Sequence, residues 1–181
     1  MVDILSNDIT VITGPMKCGK TKLLIELYNQ YKHNYRCGIF KPQMDNRFSE
    51  CEVVDRDGNR VMSTNFKTLY ELKKYISVYD IYFIDEFQFI AGDVNIINEL
   101  IDINKKFIIC GLNLTSDRKP FGNMNKIMCC ADNVILKTGN CDICGRPSKY
   151  SFCEKDKKDD VLIGDSQYKS VCKECYIKLK R

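Results

Sequence analysis

The sequence of 181 residues has no long apolar run. A membrane-spanning helix needs about 18 or more consecutive apolar residues, and no segment reaches that length. The first ten residues, MVDILSNDIT, also lack the basic region followed by an apolar region that marks a secretory signal. A soluble protein of the cytoplasm is therefore expected, without a membrane partner.

A large excess of one charge is absent as well. Lys and Arg number 28 against 24 Asp and Glu, which gives a net charge of +4 at pH 7, and the basic residues are spread along the chain. Nucleic-acid-binding domains usually concentrate basic residues on one face. The mildly basic charge is therefore only weak evidence for nucleic-acid binding, and no nucleic-acid partner is expected. The sequence also shows no internal repeat.

Cysteine, by contrast, is abundant, with 11 residues. The number is odd and no secretory signal precedes it, so a disulfide framework is not expected. Four cysteines form two C-x-x-C pairs, Cys141 with Cys144 and Cys172 with Cys175, on either side of residues 145–171. Such pairs are typical of a tetrahedral Zn²⁺ site with four thiolate ligands. Reduced structural cysteines or redox pairs are the alternative interpretation.

The stretch GPMKCGKT fits the G-x-x-x-x-G-K-T pattern of phosphate-binding loops. An apolar β-branched run precedes it and a helix-like pattern follows, which is the context that the motif requires; a chance match in a turn is the alternative. In such a loop Lys20 reaches the β- and γ-phosphates and the Thr21 hydroxyl binds Mg²⁺. The predicted nucleotide-binding residues of the loop are Gly14, Pro15, Met16, Lys17, Cys18, Gly19, Lys20 and Thr21.

The first two-thirds of the chain alternate apolar strands with helical patterns. The predicted strands are 8–13, 36–41, 81–86, 106–112 and 133–137; the predicted helices are 21–32, 68–76, 94–105 and 124–131. Asp57-Gly58 indicates a hairpin between them. This alternation predicts an α/β fold, a parallel sheet flanked by helices as in P-loop NTPases. Residues 1–138 are expected to form this domain, and residues 139–181 a small one that a metal folds.

Two acids, Asp85 and Glu86, end the apolar run IYFIDE. Asp85 is expected to hold Mg²⁺, directly or through water. Adjacent side chains of a strand normally face opposite sides, but the backbone turns where a strand ends, and Glu86 could then face a substrate. There it could take a proton from an attacking hydroxyl or from water. A solvated surface acid is the alternative interpretation of Glu86.

Several motifs occur together in one order: GPMKCGKT, KPQMDNRFS, DEFQF, GLNLTSDRKPFG, CDIC and YKSVCKECY. With these motifs nearly the whole chain resembles the type II thymidine kinases, the family of the cytosolic vertebrate and poxviral enzymes. The resemblance implies transfer of the ATP γ-phosphate to the 5′-hydroxyl of thymidine, with deoxyuridine as a further substrate, in nucleotide salvage for DNA synthesis. It also implies structural Zn²⁺, Mg²⁺ with ATP, a homotetramer and feedback inhibition by thymidine triphosphate (dTTP).

The resemblance further implies site residues. Glu86 would be the catalytic base with Gln88 beside it, and Asp45 and Arg47, which match the family's D-x-R, would lie near the phosphates. A zinc-anchored loop, the lasso, covers the nucleoside in this family. The implied nucleoside-binding residues are Met16, Phe89, Leu112, Phe121, Ser151, Val161, Ile163 and Tyr168. The positions that depart from the family pattern, and so bear on base preference, are Asn113, Ser116, Cys153 and Ile163.

Two other functions fit part of the pattern. DEFQ also resembles the D-E-x-Q box of helicases, and a Cys₄ ribbon can bind nucleic acid, so a P-loop ATPase acting on nucleic acid is one alternative. Such an ATPase normally needs a second lobe, for which 181 residues leave no room. The other alternative is a zinc-ribbon binding module in which the phosphate loop is only a structural anchor.

Overall fold

The computed structural model describes residues 6–44, 51–154 and 167–180. The site predictions for Asp45, Arg47, Val161 and Ile163 therefore lie outside the described residues. Within the described ranges, no helix combines the length and the apolar character needed to cross a membrane.

A six-stranded parallel sheet forms the centre of the protein. Its strands are β1 (Ile9–Thr13), β2 (Cys37–Pro42), β5 (Thr64–Phe66), β6 (Ile81–Ile84), β7 (Lys106–Gly111) and β8 (Asn133–Leu136), in the order β5-β2-β6-β7-β1-β8. The central strands consist of β-branched, aromatic and other apolar residues that are buried on both faces, as strands of a covered parallel sheet are. The predicted fold class is confirmed.

Helices cover both faces of this sheet. The α-helices beside the sheet are α1 (Lys20–Tyr31), α2 (Asn95–Ile101) and α3 (Met124–Cys130), and two 3₁₀ helices span Leu69–Tyr75 and Phe87–Phe89. A fourth helix, α4 (Lys173–Leu179), lies in the C-terminal part of the chain. Leu24 and Ile25 of α1 pack in one core cluster with Ile12, whereas the neighbouring Val11 packs on the opposite side with α2 and α3. Alternate residues of β1 thus serve two separate cores.

Three elements end earlier or wind more tightly than their sequence patterns predict. The predicted helix 68–76 is a 3₁₀ helix, and its start is fixed by Glu71, whose carboxylate accepts the Lys67 and Thr68 N–H groups at 2.9 and 3.1 Å. Helix α2 stops at Ile101 because the chain turns back at Asn104, which has a left-handed φ of 62°. The predicted strand 81–86 ends at Ile84, just before the acids.

The hairpin predicted around Asp57-Gly58 is confirmed: β3 (Glu52–Val54) pairs antiparallel with β4 (Arg60–Met62). The C-terminal part forms two more antiparallel pairs, β9 (Gly139–Asn140) with β10 (Pro147–Ser148), and β11 (Tyr150–Cys153) with β12 (Tyr168–Val171), followed by α4. We call residues 139–154 and 167–180 the cysteine unit. The apolar cluster at its centre consists of Cys141, Val171, Cys172, Cys175 and Tyr176.

Candidate active site

A cavity of about 320 Å³ lies at the carboxyl ends of β1, β2 and β6. Ligands of open α/β sheets bind at this edge, because loops from several strands meet there. The residues that line the cavity come from the phosphate loop, the end of β2, the β3–β4 hairpin, the end of β6 and the residue after β7. They are Met16, Lys17, Cys18, Gly19, Lys20, Thr21, Lys22, Lys41, Glu52, Val53, Val54, Asp55, Arg56, Asp57, Asp85, Glu86 and Leu112.

The phosphate loop, residues 14–19, connects β1 to α1 through left-handed backbone. Lys17 has φ 61° and Gly19 φ 76°. A Cβ atom on Gly14 would lie 2.2 Å from the Lys137 carbonyl oxygen, so only glycine fits there. Lys20 folds back over the loop and donates a hydrogen bond to the Pro15 carbonyl at 2.7 Å. The loop leads into the amino end of a helix, which is a favourable place for a phosphate.

The two predicted magnesium ligands lie in contact. The Thr21 hydroxyl donates a hydrogen bond to the Asp85 carboxylate at 3.1 Å, and Asp85 is buried beside the phosphate loop. Hydroxyl and carboxylate oxygens are ligands that Mg²⁺ prefers, so these two residues could hold that ion. Burial and the Asp85 carboxylate raise the pKa of the neighbouring Cys110 thiol well above its usual value, so this thiol stays neutral.

Glu86 lies on the same cavity as Asp85 although the two are adjacent in sequence. Its left-handed φ of 51° turns the chain at the end of β6 and brings both carboxylates to one side. The Gln88 amide nitrogen donates to the Glu86 carboxylate, and its oxygen accepts the Leu112 N–H at 2.9 Å. Gln88 is buried outside the cavity lining, so it orients Glu86 and Leu112.

Glycines next to Gln88 keep its side chain in this orientation. A Cβ atom on Gly111 would lie 2.6 Å from the Gln88 amide oxygen, and one on Gly122 would lie 2.1 Å from the Gln88 carbonyl oxygen. Non-bonded contacts of a Cβ atom are not this short in proteins. At Gly122 the neighbour is backbone, so only glycine fits there, whereas at Gly111 a side chain would displace the Gln88 amide. The packing therefore fixes Gln88, and through it the direction of the Glu86 carboxylate.

The residues predicted to bind a nucleoside are only partly brought together. Met16 and Leu112 line the cavity. Phe89 and Phe121 contact each other edge to face, with ring centroids 5.3 Å apart, and lie outside its lining. Tyr168 is buried on β12, also outside the lining. Ser151, on β11, accepts a hydrogen bond from the Met16 N–H at 2.9 Å.

One wall of the cavity was not predicted from the sequence, namely the β3–β4 hairpin. Its tip is tied to α1 by an ion pair between Lys22 and Asp57 at 2.6 Å. Behind it the ammonium of Lys41, which is 2% exposed, donates to the Glu52 carbonyl at 3.0 Å. The position of Lys41 at the end of the buried strand RCGIFK is a signal that could have placed it in this wall.

Asp55 stabilises the turn of this hairpin. Its carboxylate accepts the N–H groups of Asp57 and Asn59, both at 2.9 Å, and the Asn59 side-chain amide at 2.8 Å. Burial opposes ionisation of Asp55, but these hydrogen bonds outweigh it and hold the pKa of this carboxyl below its usual value. The ionised Asp55 carboxylate thus stabilises the turn of the hairpin wall.

The four cysteines of the two C-x-x-C pairs form a second candidate site. Their sulfur atoms all lie within 4.8 Å of one another, and Sγ of Cys144 is 3.7 Å from Sγ of Cys172. A tetrahedral Zn²⁺ with Zn–S bonds of about 2.3 Å would separate its sulfurs by roughly 3.8 Å. Cys141, Cys144, Cys172 and Cys175 could therefore hold such an ion.

The thiols of this cluster differ in how readily they ionise. The Arg146 guanidinium donates to Cys144 Sγ at 3.5 Å and lowers the pKa of that thiol to about 6. Burial, together with hydrogen bonds of the neighbouring thiols, raises the pKa of Cys175 to about 12. A cation among the four sulfurs would replace that retained proton, since metal-bound cysteines are thiolates.

A parallel sheet whose first strand leads into a phosphate loop, with acids at the end of another strand of the same sheet, is typical of the P-loop nucleotide-binding enzymes. Comparison with known proteins narrows this class. The model of the family "Thymidine kinase" matches residues 7–176. The chain therefore belongs to the thymidine kinase family and is a deoxynucleoside kinase.

Individual thymidine kinases are similar to this chain over most of their length. The thymidine kinase of Bacteroides fragilis strain YCH46 is 35% identical over 171 residues, which cover 93% of this chain and 86% of the relative. That of Mycoplasma mobile is 35% identical over 173 residues, with the same coverage of 93% and 86%. That of Pseudothermotoga lettingae is 32% identical over 185 residues and covers 97% of both chains. The resemblance found in the sequence is confirmed.

Proposed function

We propose that the protein transfers the γ-phosphate of ATP to the 5′-hydroxyl of thymidine and, with modest discrimination, of deoxyuridine. The observation that carries the proposal is the meeting of three groups on one cavity: the phosphate loop, the Thr21–Asp85 pair and the Glu86 carboxylate. A kinase needs these three functions side by side, because it must bind a polyphosphate, neutralise it and deprotonate an acceptor. The family match does not favour the nucleic-acid-dependent ATPase.

In the proposed reaction the loop N–H groups and Lys20 hold the phosphates of ATP. Mg²⁺ held by Thr21 and Asp85 would supply charge neutralisation for the phosphates. Glu86 accepts the proton of the 5′-hydroxyl as its oxygen bonds to the γ-phosphorus, while the bond from that phosphorus to the bridging oxygen breaks and ADP leaves. Gln88 keeps the Glu86 carboxylate turned towards the cavity.

The cysteine unit is proposed to be a separate small domain, 139–181, that follows a kinase domain of residues 1–138 and holds a structural Zn²⁺. Support comes from its own buried cluster and from the sulfur spacing. The eleven cysteines all lie in the described ranges and are all free thiols. Thiols stay reduced in the cytoplasm, which agrees with the cytoplasmic location expected from the sequence.

The nucleotide-binding roles of Asp45 and Arg47, and the nucleoside-binding roles of Phe89, Phe121 and Tyr168, belong to the same proposal. So do the nucleoside contacts of Met16, Leu112, Ser151, Val161 and Ile163. A homotetramer and feedback inhibition by dTTP complete it, on the pattern of the family. Light scattering of the purified protein tests the assembly, and inhibition by dTTP at fixed ATP tests the feedback.

The deciding experiment measures ATP consumption with single nucleosides and, separately, with single-stranded DNA or RNA. Thymidine and deoxyuridine should be phosphorylated. An apolar pocket distinguishes one methyl group by about 1–3 kcal/mol, and the low end of that range is expected for this pocket. Deoxycytidine should be a poor substrate because buried polar groups would be left unpaired. Deoxyguanosine should be a poor substrate because its second ring would not fit. Comparable kcat/KM for deoxyguanosine, or stimulation by nucleic acid, would refute the proposal.

The role of Glu86 has its own test, the substitution Glu86→Gln. It keeps the size of the side chain and removes the base, so kcat should fall on the order of 10²- to 10⁴-fold. ATP binding should be nearly unchanged, since the loop carries it. Glu99→Gln, which removes a half-exposed carboxylate of α2 paired with Lys73, is the matched control and should leave kcat unaltered. Near-normal turnover of Glu86→Gln would exclude Glu86 as the base.

A further inference from the structure

The phosphate loop is held in place by the cysteine unit as well as by its own strand and helix. Ser151, on β11, accepts the Met16 N–H at 2.9 Å in a buried hydrogen bond. One residue further along the loop, the Lys17 ammonium pairs with the Asp142 carboxylate at 2.9 Å. Both partners follow the loop by more than a hundred residues, so these contacts are tertiary.

Asp142 is itself fixed from two sides. It lies between the candidate metal ligands Cys141 and Cys144 in the sequence CDIC. Its carboxylate oxygen also accepts the Ser170 N–H at 2.9 Å, and its own N–H donates to the Ser170 carbonyl at 2.8 Å. The carboxylate that holds Lys17 is thus rigidly connected to β12 and to the cysteine cluster.

The backbone of the cysteine unit also packs directly on the loop. A Cβ atom on Gly139, in β9, would lie 3.3 Å from the Cys18 Cα and 3.3 Å from the Lys17 carbonyl oxygen. The same atom would lie 3.2 Å from the Ser148 hydroxyl, and Ser148 is hydrogen bonded to Ser170 at 2.8 Å. The loop therefore has a close neighbour on this side, and the neighbour is part of the cysteine unit.

Lys17, one of the two loop residues that contact the cysteine unit, has a strained backbone conformation. Lys17 has a left-handed φ of 61°, which a residue with a side chain adopts at a cost in energy. Such a conformation persists only where the surroundings fix it. The hydrogen bond from Met16 and the ion pair of Lys17 act at this residue and immediately before it, so they favour the loop conformation seen in the structure.

We propose that Asp142 and Ser151 are positioning residues for the phosphate loop, so that the cysteine unit sets the affinity for ATP in addition to any contact with the nucleoside. The inference rests on the proposed binding of ATP by this loop. Without the two contacts, the loop would spend part of its time in other conformations. The apparent dissociation constant rises as the fraction of binding-competent loop falls.

The test is calorimetric titration of the full-length protein with Mg-ATP in the absence of nucleoside. Asp142→Ala and Ser151→Ala should each raise Kd about 5-fold, the net worth of one hydrogen bond, and Ser151→Thr, which keeps the hydroxyl acceptor, should restore binding. In Asp142→Ala the KM for ATP should rise while the KM for thymidine stays constant. Lys180→Ala is the matched control, because it breaks an exposed ion pair with Asp117 elsewhere on the cysteine unit.

Metal content and thermal unfolding are measured for each variant. If Asp142→Ala loses metal or unfolds, the Ser151→Ala and Ser151→Thr pair decides, since Ser151 lies outside the C-x-x-C turns. Unchanged Kd in Asp142→Ala and Ser151→Ala, with normal binding by the wild type, would overturn the inference and leave the proposed function intact. A wild-type protein that bound no Mg-ATP would overturn the proposed function, and the inference with it.

Discussion

The sheet and the cysteine unit are ordered by different physical means. The sheet and its helices bury large apolar side chains in two clusters, among them Phe40, Phe83 and Phe107. The one cluster described in the cysteine unit has five buried residues, and three of them are Cys141, Cys172 and Cys175. Apolar burial at about 25 cal/mol per Å² stabilises the first region, whereas we expect so small a cluster to need a metal and contacts with its neighbour.

This difference matters because the candidate active site draws on both regions. The acids and the phosphate loop are part of the sheet, but Met16 and Lys17 are held from the cysteine unit. In addition, the Tyr176 hydroxyl donates to the Ser116 carbonyl at 2.6 Å, and the Arg118 guanidinium lies 4.8 Å from the centre of the Tyr176 ring. A region of low intrinsic stability can therefore control a site whose chemistry belongs to the stable region.

The largest effect is expected from Cys175→Ser, which should disrupt the cysteine unit alone. Structural zinc sites contribute about 10–16 kcal/mol of folding free energy, so the variant should lose its metal and the order of the cysteine unit. The sheet should stay folded. The sequence alone predicts that this variant loses nucleoside binding and keeps ATP binding. The contacts of the cysteine unit with Met16 and Lys17 predict that ATP binding is weakened as well.

Metal analysis, hydrogen exchange and Mg-ATP titration measure these effects in Cys175→Ser. Cys129→Ser is the matched control, because Cys129 is exposed and lies outside the four-cysteine cluster. It should keep the metal and wild-type exchange rates. The assignment of the cluster would be contradicted if Cys175→Ser kept a stoichiometric metal. It would also be contradicted if the wild type and both variants all lacked the metal.

The reverse experiment weakens the sheet and spares the cysteine unit. Phe83 is completely buried in β6 and contacts Tyr28 of α1 edge to face at 5.5 Å. Phe83→Ala should lower the free energy of unfolding by about 3–5 kcal/mol, measured by urea denaturation, with the metal content unchanged. Leu136→Ala, at a position that is 62% exposed on β8, should change it by less than about 0.5 kcal/mol. Loss of metal in Phe83→Ala would mean that the regions do not fold separately.

The smallest expected effect concerns one ion pair of the sheet. The Arg36 guanidinium donates to both Asp80 carboxylate oxygens, at 2.8 and 2.6 Å, and lowers the pKa of Asp80 to about 2. A depressed carboxyl pKa stabilises the folded state above the unfolded pKa of about 4, and this contribution disappears as the pH falls through about 2.

Asp80→Asn should therefore lower the free energy of unfolding by about 1 kcal/mol at pH 7. This value is reduced for the solvent exposure of the pair. The difference from the wild type should narrow as the pH falls from about 4 towards about 2. Urea denaturation at several pH values, with metal content measured in parallel, checks both statements. A difference that widened at acid pH would mean that the ion pair does not stabilise the folded state.

Much of this protein follows from local pattern. Five of the six sheet strands, the hairpin at Asp57-Gly58, the phosphate loop and the two cysteine pairs can be predicted because each rests on residues close together in sequence. The ends of helices and strands are harder to predict from the sequence. Glu86 and Asn104 adopt a left-handed backbone conformation that neither residue type requires. The burial of Gln88 outside the cavity, against Gly111 and Gly122, is likewise invisible in the motif DEFQ.

The sequence by itself thus determined the fold class, the family and the residue types that the chemistry needs, because periodicity and short motifs encode them locally. Tertiary structure alone decided which distant groups touch: the hairpin wall beside Lys41, and the pairing of Lys17 with Asp142 and of Met16 with Ser151. The physical reason is that these contacts depend on how the hairpin, the sheet and the cysteine unit pack together, and no short stretch of sequence specifies that geometry.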